Sequence, residues 1–177
     1  MNFKYKSLVI LFLLFTSGCS PIIHEYQWKE YKLTADRLPT QDNFTQGRVV
    51  KIIKGESDKT RKHMGVVGRH QYYASLQMLT DGLADHLVTE LQNKQIKIDD
   101  AATKSLKITV TQNSFVRGTW SISATLNFKV DFGNGKLKSF NVKNKSPGTV
   151  DRLYDGVVAR SVIAIMEDTE VVAYLNK

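Results

Sequence analysis

The groups able to do chemistry in this chain are few: His24, His63, His70, His86 and a single cysteine, Cys19. A zinc hydrolase needs two histidines one helical turn apart with a glutamate between them, and none of the four has that spacing. "RKHMGVVGRH" brings His63 and His70 into one loop-like stretch, where a metal would need a carboxylate or thiolate from elsewhere. "DHLVTE" sets Asp85 and Glu90 around His86, but five residues apart the carboxylates do not share a helix face. A surface or half-buried His86 is expected. There is no GxSxG elbow, and "GVVG" lacks the Lys-Ser/Thr that completes a phosphate loop. Nothing in the sequence calls for a cofactor or a metal, and a non-enzymatic protein is expected. Asp58 and Arg61, in a polar loop, form either a bridge that fixes the loop or a charged recognition patch. Asp168 is placed to cap a short C-terminal helix by accepting a backbone N–H.

Cys19 is the informative residue. The chain opens MNFKYKSLVILFLLFTSGCS: Lys4 and Lys6, an apolar run from Leu8 to Phe15, then Thr16, Ser17 and Gly18. Basic, apolar and small-residue regions in that order read as a secretory signal. The apolar run is far short of the ~20 residues that cross a bilayer as a helix. A cysteine directly after the small residues resembles the lipobox of bacterial lipoproteins, with Thr16 where the pattern usually has an aliphatic residue. The resemblance implies cleavage before Cys19 and acylation of that residue. Ser20, rather than aspartate, follows it, which resembles the signal for sorting to the outer membrane. Each methylene buried in lipid contributes about 0.8 kcal/mol, so several chains give firm attachment. One cysteine allows no internal disulfide, and lipidation accounts for the odd thiol of an exported chain.

The formal net charge is +8, and two of those charges, Lys4 and Lys6, lie in the leader. Basic residues are dispersed apart from "SDKTRKH" (57–63) and "KNK" (143–145). Such a surface suits an envelope protein, lipopolysaccharide or peptidoglycan as partner, and an exported chain does not meet nucleic acid. The expected organisation is a signal peptide (1–18), a lipidated N-terminus and tether (19–46), and one periplasmic α+β domain (47–177). As a flexible coil the tether would span on the order of 25–30 Å. Its Tyr26, Trp28 and Tyr31 are expected to pack on the domain rather than at a lipid interface.

Within the domain, "RVVKIIK" (48–54) reads as a largely buried strand bounded by glycines. "GESDKTRKHMG" follows as a loop. Tyr72, Leu76, Leu79, Leu83, Leu87 and Leu91 recur at helical spacing, interrupted by Gly82. "LKITVTQ" alternates. So does "WSISATLNFKVDF", with Trp120, Ile122, Ala124, Leu126, Phe128, Val130 and Phe132 on one face. Gly133–Gly135 reads as a hairpin turn into "KLKSFNVK". A helix starting near Thr149 carries the stripe Val150, Leu153, Tyr154, Val157, Val158, Val162, Ile165 and Met166. The expected fold class is α+β: an antiparallel sheet of about four strands with two helices packed on one face.

This order of elements resembles the YajG-like family of bacterial outer-membrane lipoproteins. The resemblance rests on "GRVVKIIKGESDKTR" as a strand before a loose Asp-x-Arg loop, on the leucine stripe of "LTDGLADHLVTEL", and on the terminal "MEDTEVVAYLNK". It implies a lipid-anchored protein at the periplasmic face of the outer membrane. It assigns no functional residue. The sharper alternative is an assembly or activator lipoprotein of a larger envelope machine, for lipopolysaccharide assembly or cell-wall synthesis.

Overall fold

In a computed structural model, which describes residues 20–29 and 44–177, the long alternation becomes strand β7 (Ile122–Phe132). Its even-numbered residues from Ile122 to Phe132 are buried. Trp120, expected to continue that face, is instead 89% exposed. The ladder ends at Arg117↔Ile122, and Gly118 N donates to Ser121 O to close the turn, which leaves Trp120 outside the sheet. Antiparallel neighbours flank β7: β6 (Ser105–Arg117) on one side and β8 (Leu137–Ser146) on the other. Gly135, at φ +83°, supplies the left-handed residue of the β7–β8 turn.

The sheet continues beyond β6 with β2 (Val49–Lys54) and then β5 (Lys97–Ile98), both joined in parallel, in the order β5-β2-β6-β7-β8. A second sheet, β1-β4-β3, is made from β1 (Ile22–Glu25), β3 (Lys62–Val67) and β4 (His70–Ala74). The expectation of one antiparallel sheet of about four strands with two helices is therefore wrong: there are eight described strands in two mixed sheets, and three described helices. Direction of pairing leaves no trace in a short strand's side-chain pattern, so the parallel partners of β2 are invisible in sequence. The presumed polar loop contains β3. A bulge between His63 and Gly65 turns both Met64 and Gly65 inward and destroys its period of two. Part of the presumed tether is β1, paired in parallel with β4 from Ile22↔His70 to Glu25↔Tyr73.

Helix α1 (Leu76–Asn93) starts at the Ser75 cap, so Tyr72 belongs to β4 and not to the helix. Helix α2 (Val150–Glu167) is capped by Thr149, and every residue of its expected stripe is buried. Asp168 caps α3 (Thr169–Asn176), accepting from the N–H groups of Glu170 and Val171, and also pairs with Lys138 of β8 at 2.6 Å. Tyr26 is buried and Trp28 packs against the core, as expected; Tyr31 lies outside the described residues. A Cβ on Gly82 would stand 2.7 Å from the Trp28 ring, so the glycine that weakens α1 makes room for that indole.

One buried polar junction ties α1 to the large sheet. β2 stops at Lys54↔Ile108, so the Val110 peptide lies past its pairing partner. Thr80 Oγ1 accepts from Val110 N at 3.0 Å, and Ser57 Oγ donates to Val110 O at 2.8 Å. The two hydroxyls also bond each other at 2.7 Å. An unpaired buried amide costs about 1–3 kcal/mol, so T80V, close in shape, should destabilise the domain by that amount in denaturant titration.

Candidate binding groove

Helix α2 faces two ways. Its inner side fills the core, and its outer side runs beside β8, an edge strand with no described strand on its free side. Between them lies a groove of about 1040 Å³. Val142, Ala159, Ile163 and Ala164 give it an apolar strip. Arg152 and Arg160 of α2 line it with positive charge, beside the carboxylates of Asp155 and Glu167. Lys143 and Lys145 of β8 also border it, but they pair with Thr125 and Ser123, so their side chains leave on the sheet's outer face. Strand and helix meet at one end because Gly156 has no side chain: a Cβ there would lie 2.3 Å from Asn144 Nδ2. That amide donates to Leu153 O at 3.0 Å.

Asp155 also holds the N-terminal strand. The hydroxyl of buried Tyr26, directly after β1, donates to Asp155 Oδ1 at 2.7 Å. Burial, and then the neighbouring Asp155 charge, push the Tyr26 phenol well above its ordinary range. Burial raises the Asp155 pKa too, partly opposed by the Tyr26 hydrogen bond. One residue earlier, the Tyr154 hydroxyl donates to Met64 O of β3 at 2.9 Å and accepts from Asn113 Nδ2 of β6 at 3.0 Å. Burial pushes the Tyr154 phenol up to about 12.

The residues singled out from sequence fall elsewhere. Asp58 and Arg61 do not bridge each other. Asp58 pairs with Lys62 at 2.8 Å and accepts from Thr60 N, contacts that hold its carboxyl well below the usual range. Arg61 pairs with Glu25 of β1 at 2.6 Å, and its guanidinium lies 3.6 Å from the centre of the Tyr73 ring. His70 sits on β4 opposite β1, where its Nδ1 meets His24 Nε2 at 2.8 Å, so one of the two carries the shared proton. His24 also stacks on Tyr72. His63 makes an edge contact with Tyr73. His86 is fully buried, 3.5 Å from Glu90, rather than at the surface, because it faces the same interior as Leu83 and Leu87. Among the described residues, no group of three or more His, Cys, Asp or Glu is placed to hold a metal. Cys19 lies outside the described residues.

The fold has a solved counterpart. The chain is similar to protein XCC0632 of Xanthomonas campestris, described as a DUF330 protein, at a TM-score of 0.51 and 15% identity over 85% of this chain and 95% of that one. At that identity the likeness establishes a shared fold. A weaker likeness, to the lipoprotein GNA1162 of Neisseria meningitidis, has a TM-score of 0.39 and 13% identity over 68% of this chain and 99% of that one. No family model and no curated protein matches the chain, so the YajG-like kinship stays a resemblance of motif order. No helix among the described residues is long and apolar enough to cross a membrane.

The raised pKa of Asp155 has a signed consequence. The folded protein keeps this proton to higher pH than the unfolded chain, so the carboxyl's contribution is fully present below about 3.8 and is lost as pH rises through the folded value. Asn keeps an oxygen for Tyr26 and removes the titration. The stability of D155N relative to wild type should therefore improve as pH rises from 3 to 7, measured by urea denaturation at each pH. An unchanged difference would contradict the half-buried charge.

Proposed function

We propose that this is a non-catalytic lipoprotein of the bacterial envelope, anchored at Cys19 on the periplasmic face of the outer membrane, whose domain binds a partner protein in the β8–α2 groove. The observation that carries the binding role is the edge of β8, which has no described strand on its free side and lies along that groove. An edge strand offers backbone N–H and C=O groups to an added strand, and the apolar strip of the groove can receive its side chains. Arg152 and Arg160 on α2, with Lys143 and Lys145 along the strand edge, favour an extended segment bearing acidic residues. The leader and the lone cysteine support the location, and Ser20 supports sorting to the outer membrane. A subunit that assembles or activates a larger envelope machine is the narrower form of the same reading.

Two experiments test the two halves. Radioactive palmitate should label the wild type and leave C19S unlabelled; label on C19S would remove Cys19 as the anchor. A photocrosslinker at Ile163, in the groove, should capture one dominant partner in vivo, whereas one at Lys129, on the sheet's exposed face, should not. R152E with R160E should reduce that adduct roughly tenfold, the equivalent of about 1.4 kcal/mol. Equal, diffuse adducts from both sites would count against the groove.

A further inference from the structure

The position of β1 changes what an anchor at Cys19 means. β1 is fixed along its length. Ile22 N donates to Arg69 O at 2.9 Å and Tyr26 N to Tyr73 O at 2.8 Å. Glu25 pairs with Arg61, and the Tyr26 side chain is 1% exposed with its hydroxyl on Asp155. Only Ser20 and Pro21 separate Cys19 from Ile22. Three extended steps reach at most about 10–11 Å. Pro21 fixes its own φ and biases Ser20 toward extended backbone, so little slack remains. The first backbone bond of β1 goes to the Gly68–Arg69 turn between β3 and β4, and both turn residues are exposed.

We propose that this turn rests on the phospholipid headgroups, with the small sheet standing end-on to the membrane and β1 acting as a short rigid strap. The inference rests on acylation of Cys19. The acyl chains place Cys19 in the headgroup layer, and the short connection holds the turn within about 10–15 Å of it. Arg69 then meets lipid phosphates, a favourable pairing for a guanidinium. Ile23, 57% exposed on the same strand, stands just above. The opposite end of the sheet, where Lys59 precedes β3, is lifted away by the length of β3, six residues or roughly 20 Å. The domain therefore has a fixed orientation instead of the free swing of a long tether.

The chemistry of Cys19 makes the test clean: once it is acylated, an introduced cysteine is the only free thiol. Lipidated R69C and K59C, each carrying an environment-sensitive fluorophore, are reconstituted into phosphatidylethanolamine–phosphatidylglycerol vesicles containing headgroup-nitroxide lipid. The label at position 69 should be quenched several-fold more than the label at 59. Twelve Gly/Ser residues inserted between Ser20 and Pro21 should abolish that difference. Equal quenching, stronger quenching at 59, or a difference that survives the insertion overturns the proposal while the anchor stands. If intact mass shows no acyl chains on Cys19, the anchoring reading itself fails.

Discussion

The placement of the small sheet and of β1 depends on one turn of α2, where Tyr154 and Asp155 hold three other elements through buried or half-buried polar contacts. A phenol removed from water must keep its hydrogen bonds, because each unmet one costs about 1–3 kcal/mol. The Tyr154 hydroxyl meets this demand by donating to Met64 O and accepting from Asn113 Nδ2. It thereby fixes helix, small sheet and large sheet at a single point. Asp155 receives Tyr26 and so fixes the start of the described chain to the same helix. Without this junction the small sheet would have little to set its position. Its direct links to the large sheet include the Asn113 amide donating to Met64 Sδ at 3.1 Å and the close approach of Gly65 to the Phe115 ring, where a Cβ would come within 2.8 Å.

The same turn carries the functional argument outward. The turn of the helix puts the Tyr154 side chain in the core and turns Asp155, Arg160 and the bare backbone of Gly156 toward the groove. Asp155 therefore belongs both to the strap that leads to Cys19 and to the surface proposed to bind a partner. An anchor and a binding site as proposed would share the rigid frame of one helical turn. A partner that approaches the envelope membrane would then meet the groove in one orientation.

Patterns local to one element were legible in the sequence. The thirteen-residue alternation gave β7, and the apolar stripe gave α2 with its Thr149 cap. Asp168 could be placed as a cap because an N-cap needs only its own backbone neighbours. What failed needed information from elsewhere in the chain. β1 is four residues long and gains its order from β4, forty-eight positions away in register. The bulge at His63 hid β3, although the Gly68–Arg69 pair between Val67 and His70 was a readable hairpin signal. His86 is the exception: it lies three residues after Leu83 and one before Leu87, so the leucine stripe already argued for its burial, and the Trp28 ring packs beside it with centres 6.1 Å apart. Of the cations bordering the groove, only Lys143 and Lys145 stood out, as a run; Arg152 and Arg160 are brought beside β8 by the packing of α2 on it.

The central claim is that the chain becomes part of the folded domain within three residues of Cys19. Amide hydrogen exchange of Ile22 and Tyr26 in the lipidated protein tests it most directly. Both amides donate to β4-side carbonyls, so they should exchange on the order of a hundredfold more slowly than a free chain, as a local opening cost of about 2.7 kcal/mol would produce. Free-chain exchange at both positions, with Tyr72 and Met64 still protected, would contradict it and restore the picture of a loose tether.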